Sequence, residues 1–99
     1  MSLKHTEPID QFFRAILSLE SLDECYRYFE DVCTVKEVMT IAQRLEVARM
    51  LRNGMSYQQT IAQTGASSAT ISRVKRCLDY GDGGYAMVLE RLADAEAEA

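Results

Sequence analysis

Ser56-Tyr-Gln-Gln-Thr-Ile-Ala-Gln-Thr-Gly-Ala-Ser-Ser-Ala-Thr-Ile-Ser-Arg-Val-Lys-Arg-Cys77 is the stretch on which the fold turns. Ser56 and Gln59 have the spacing of a capping box, in which a serine oxygen accepts from an unpaired helix amide while the glutamine reaches back. The short helix they open ends at Gly65, and Ser67 caps a second helix from Ser68 to about Asp79. Two short helices joined by a glycine-containing turn form a helix-turn-helix arrangement. Gly65 supplies the backbone conformation that reverses the chain in few residues, and Ile71 with Val74, three apart, pins the second helix against the first.

That packing leaves Ser68, Ala69, Ser72, Arg73 and Arg76 pointing outward. Small residues at the front of such a face permit close approach to base edges in a major groove and contact with a thymine methyl. Arginines behind them can pair with guanine in bidentate fashion or grip phosphate. The bland alternative is a helical hairpin whose polar face happens to be cationic. Against it stands local consistency: turn, cap, buried pair and exposed cations occupy mutually compatible positions.

Working outward, the segments on both sides also read as helices, giving an all-α chain. Thr34 and Glu37 form another capping box, opening a helix over about 35–53 that is apolar around much of its circumference, from Val38 and Met39 to Met50 and Leu51. Such a helix belongs in the centre of a fold or across a subunit interface, and Asn53-Gly54 provides its left-handed stop. Ser21 and Glu24 predict a third box, ahead of the stripe Leu22, Cys25, Tyr26, Phe29, Val32 and Cys33, which gives both cysteines a core role. Ile9, Phe12, Phe13, Ile16 and Leu17 share one face of a first helix from about Pro8 to Ser18. After a glycine-rich linker over 80–84, Tyr85, Val88, Leu89 and Leu92 form a last amphipathic helix, with the Ala/Glu tail expected to fray after Asp94.

The chain has 99 residues, 47% hydrophobic and 26% charged, enough for one domain over 1–99 and no more. Folding at this size buries roughly 60–65% of the unfolded chain's surface, so a lone subunit is marginal and self-association is expected. A net charge of −4 argues by itself against a nucleic-acid partner. The average conceals a pattern. Residues 1–34 carry three cations and seven anions, residues 35–78 seven and two, and residues 79–99 one and six. The middle is a basic island between acidic ends, a distribution that can steer a duplex to one face while keeping the chain soluble.

Other chemistries find little support. Cys25, Cys33 and Cys77 are odd in number with no CxxC pair, and His5 is the one histidine, so no metal site, cofactor or disulfide framework follows. There is no ordered nucleophile-base pair and no phosphate-loop spacing; Gly81-Asp-Gly-Gly84 lacks the GK[ST] ending and a preceding strand, and reads as a hinge. No catalytic residue is assigned. No apolar run could span a bilayer and no basic-then-apolar segment opens the chain, so a cytoplasmic protein without a membrane partner is expected. A helical adaptor binding a protein such as a polymerase component is the competing class. Salt discriminates: a dimer gripping about six phosphates gives a slope of log K on log salt near −5, and an adaptor shows none.

Several motifs in order resemble the Trp-repressor superfamily, and within it the YerC/YecD-type branch: Glu24-Cys-Tyr-Arg-Tyr-Phe-Glu-Asp31, Gln43-Arg-Leu-Glu-Val-Ala48, Gly65-Ala-Ser-Ser-Ala-Thr-Ile-Ser-Arg-Val74, and Arg76-Cys-Leu-Asp-Tyr-Gly81 followed by Gly83-Gly-Tyr85. The resemblance implies a six-helix subunit, intertwined as a homodimer through helices over about 8–53 and 84–94, with reading heads at about 56–79. It also implies a transcriptional repressor that reads a two-fold site on double-stranded DNA, its heads entering major grooves about 34 Å apart. Candidate duplex contacts are Ser56, Gln58, Ser67, Ser68, Ala69, Thr70, Ser72, Arg73, Lys75 and Arg76.

The resemblance further places an unidentified small-molecule effector near Thr34, Arg44, Arg73, Val74 and Cys77. In tryptophan-responsive relatives the indole lies between two arginines, matched here by Arg44 and Arg73, beside a glycine and near a serine. Val74 stands at the glycine's position and Cys77 at the serine's, so tryptophan is not expected to bind. Gln58 and Ile61 replace basic DNA-contacting residues of those relatives, which implies a different sequence preference. Thr60 occupies a normally apolar position, so Ile61 is expected to take over the packing, with a slight rotation of the helix.

Overall fold

The computed structural model describes residues 2–98, with side chains to residue 97, and every regular element among them is an α-helix. These are α1 (Glu7–Leu17), α2 (Leu22–Val32), α3 (Val35–Arg52), α4 (Tyr57–Thr64), α5 (Ser68–Tyr80) and α6 (Gly84–Glu98). The chain divides into two compact units, one ending at Val38 and the other beginning at Met39.

In the first unit, α1 starts one residue before the expected Pro8 because Thr6 caps it, its hydroxyl accepting from the Ile9 amide at 3.4 Å. Pro8 sits in the first turn, where the absent amide hydrogen costs nothing. Ser21 caps α2 by accepting from the Glu24 amide at 3.1 Å. The expected reciprocal bond differs: the Glu24 carboxylate accepts from the amide of Glu20 at 2.9 Å, one residue upstream of the cap. The Thr34–Glu37 box is reciprocal, with bonds of 2.8 and 3.1 Å, and these hydrogen bonds hold the Glu37 carboxyl below its usual range. Phe12, Tyr28 and Phe29 form a small aromatic group, half-buried, with Phe12 and Tyr28 centroids 6.4 Å apart. Cys25 and Cys33 are likewise only half-buried. No residue of α1 or α2 is fully buried, although both helices carry apolar stripes; Leu17 is 84% exposed.

The second unit contains the core. Val47 and Ala48 from α3, Ala66 from the turn, Ile71 and Val74 from α5, and Leu89 from α6 form one buried cluster, with Leu45, Leu51, Leu78 and Tyr85 packed on it. Gly54, at φ 86°, ends α3 as the sequence predicts. Arg52 ties α3 to α6, donating to the Ala86 carbonyl at 3.3 Å and to the Glu90 carboxylate at 2.8 Å. The last helix continues past Asp94 to Glu98 where fraying was expected; its Ala/Glu composition is among the strongest helix formers and sustains the extra turn.

Candidate nucleic-acid interface

The α4–α5 pair is built as its caps dictate. Ser56 accepts from the Gln59 amide at 3.1 Å while the Gln59 side chain accepts from the Ser56 amide at 2.9 Å, completing the capping box. Gly65 takes φ 70°, ψ 7°, left-handed geometry that costs a residue with a β-carbon roughly 1–2 kcal/mol. Ser67 then caps α5 by accepting from the Thr70 amide at 3.1 Å.

Two threonines complete the turn in ways the apolar pattern does not announce. Thr60 is 0% exposed and Ile61 39% exposed, so Thr60 packs and Ile61 does not take over its role. The Thr60 hydroxyl donates to the Ser56 carbonyl at 2.8 Å, which satisfies its polar atom within the helix and presents a valine-like methyl surface to the interior. Thr64 donates to the Thr60 carbonyl at 2.7 Å and accepts from the Ala66 amide at 3.1 Å, bracing the entry to α5. Gln43 of α3 supplies one more bond, to the Thr64 carbonyl at 3.2 Å, satisfying an end-of-helix acceptor.

On α5, Ile71 and Val74 are buried, and Ser68, Ala69, Ser72, Arg73 and Arg76 are exposed. This is the face expected from the sequence. Gln58 is exposed on α4. Ser56, Ser67 and Thr70 are engaged in capping, and the Ser67 hydroxyl also donates to the Thr70 hydroxyl at 3.1 Å.

Cation pairing narrows the electrostatic face. Lys75 is held by Asp79 at 3.2 Å, Arg52 by Glu90 at 2.8 Å, and Arg49 by Glu46. The Arg49 bond lowers the Glu46 carboxyl's pKa and raises that of the guanidinium. Arg73 and Arg76 have no carboxylate partner among the described residues. They are the unneutralised cations of α5.

Of the residues assigned to an effector, Thr34 belongs to the first unit, where its hydroxyl accepts from the Glu37 amide. Arg44, Arg73, Val74 and Cys77 belong to the second. Val74 is 1% exposed in the core, Arg44 half-buried and Cys77 exposed. Among the described residues no cluster of three or more His, Cys, Asp or Glu is placed to hold a metal ion, and no helix is long and apolar enough to cross a membrane.

A capped helix pair whose second member shows small residues and unpaired arginines defines a helix-turn-helix protein of the all-α class. The chain belongs to the Trp repressor family, whose members are DNA-binding regulators: the family profile described as Trp repressor protein matches residues 7–93. It is 57% identical over 91 residues to the uncharacterized protein YerC of Bacillus subtilis (strain 168), covering 92% of this chain and 88% of that one. Two solved structures are also similar. A TrpR like protein from Eubacterium eligens ATCC 27750 matches with a TM-score of 0.88 at 54% identity, covering 90% of this chain and 92% of that one. A Staphylococcus aureus protein described as a candidate Trp repressor matches with a TM-score of 0.88 at 46% identity, covering 90% and 89%.

Proposed function

We propose that the protein is a sequence-specific transcriptional regulator, a repressor, that binds a two-fold site in double-stranded DNA as a homodimer in the cytoplasm. The observation that carries this reading is the outward face of α5, where Ser68, Ala69 and Ser72 leave room for a groove floor and Arg73 and Arg76 have no carboxylate partner among the described residues. α5 presents the face, and the cap at Ser67 and the turn at Gly65 fix its angle to α4.

What a single chain leaves uncovered supports the dimer. In the first unit Leu17, Leu22 and Tyr26 are exposed on helices with no fully buried residue and Val35 is exposed at the start of α3, and in the second Met39 and Ile41 are exposed on α3. A second copy covering these faces supplies the burial that one chain of this size lacks. Two copies present two α5 helices, and a two-fold pair matches major grooves one helical turn apart.

Tryptophan is not the co-repressor in this reading, because the branched Val74 side chain already fills its surroundings in the core. Selection of bound fragments from sheared genomic DNA by the purified full-length protein tests the function. A shared sequence with two-fold symmetry is the expected outcome; uniform recovery would leave only nonspecific electrostatic adhesion and defeat the reading.

A further inference from the structure

Tyr85 has no part in the interface described above, yet it sits where α6 meets the back of the reading helix. It is the second residue of α6, half-buried, and packs on the cluster that contains Ile71 and Val74 of α5 and Val47 and Ala48 of α3. Burial pushes its phenol pKa up, Cys77 pushes the same way, and Arg44 and Arg73 oppose them. Neither Arg44 nor Arg73 has a carboxylate partner among the described residues. The same end of α6 is anchored through Arg52, by the Ala86 carbonyl and the Glu90 carboxylate.

α5 is thus held from two sides. Ala66 and Ile71 fix it toward the turn, and Tyr85 with Leu89 backs it from α6. Resting on the DNA-binding reading above, we infer that Tyr85 is a positioning residue for α5: its ring is a built-in wedge that keeps the reading helix in its duplex-competent pose without a small molecule. A flat ring with two χ angles serves this purpose because it brings a large rigid contact area at small conformational cost. Without it, Leu89 alone backs α5 from α6, and apparent affinity falls by the fraction of time the helix spends out of place.

The test uses the full-length protein and the duplex recovered by fragment selection. Tyr85→Ala is expected to weaken binding about tenfold, the loss that follows when the competent pose falls to one part in ten. Helicity and dimer mass should be unchanged. Adding 4-methylphenol, the tyrosine side chain as a separate molecule, should restore Y85A affinity in a saturable manner while leaving the unsubstituted protein unaffected. Tyr85→Phe, which keeps the ring, should bind nearly as the parent does. Tyr85→Leu, which keeps apolar bulk without a flat ring, should bind several-fold more weakly, and this holds the test open if Y85A fails to fold. Parental affinity in Y85A or Y85L, or weak Y85A binding that 4-methylphenol does not restore, would overturn the inference. If the parent protein recovers no duplex at all, the DNA-binding reading has failed instead.

Discussion

Removing Arg73 should change how DNA binding responds to salt, by an amount the ion pairs of the structure set. Arg49, Arg52 and Lys75 are engaged by Glu46, Glu90 and Asp79, so each α5 offers Arg73 and Arg76 as unpaired cations. In the proposed dimer two subunits would place four guanidiniums on phosphate, and at about 0.9 counterion per contact the expected slope of log K against log salt is about −3.6. This is shallower than the value near −5 that about six phosphates give, because it counts only the α5 cations that no carboxylate engages. Arg73→Ala removes two contacts and should halve the slope to about −1.8. A fourfold rise in salt then costs roughly 12-fold in affinity where the parent loses roughly 150-fold. Asp79→Asn frees Lys75 and should steepen the slope to about −5.4. Fluorescence anisotropy titrations of the selected duplex over a salt series measure all three, and Arg73→Glu should abolish binding with helicity and dimerisation intact. If Arg73 instead reads guanine, the alanine variant keeps its slope and loses discrimination at one base position. Unchanged slope, affinity and specificity together would refute the placement of Arg73 on DNA.

The remaining predictions concern the core and the ligand question. Ile71→Ala empties a fully buried position shared by α3, α5 and α6, and chemical denaturation should show a loss of about 2–5 kcal/mol. Because burial raises the Tyr85 phenol, its neutral form stabilises the fold in full below the unfolded phenol's value of about 10. That contribution disappears as pH climbs through the folded value, so the unfolding midpoint should drop in strongly alkaline buffer, and Tyr85→Phe should flatten that drop. Millimolar tryptophan should shift neither the melting temperature nor the affinity for DNA, since Val74 is packed in the core; a saturable shift in calorimetry would contradict this.

Much of the fold was legible because its punctuation is local. Ser56, Gln59, Gly65 and Ser67 satisfy helix ends within a few residues of themselves, so spacing alone locates α4, the turn and α5. The outward face of α5 follows once Ile71 and Val74 are taken as its inner pair. Thr60 escapes the apolar pattern because its residue type is polar while its position is buried. Its hydroxyl is satisfied one turn back, and only a three-dimensional view shows the methyl facing inward. Long-range pairs were invisible for a related reason. Arg52 and Glu90, or Gln43 and Thr64, are far apart in sequence and carry no periodic signal. The same holds for Lys75, which counts as a cation by composition and is neutralised in the fold by Asp79.

The most direct test is hydroxyl-radical footprinting of the full-length protein on its selected duplex, with methylation interference at guanine N7. Two protected patches on one side of the DNA, with interference in major grooves about one helical turn apart, are the predicted result. A single patch, interference confined to the minor groove, or no protection at concentrations where the protein is dimeric would contradict a paired α5 reading head.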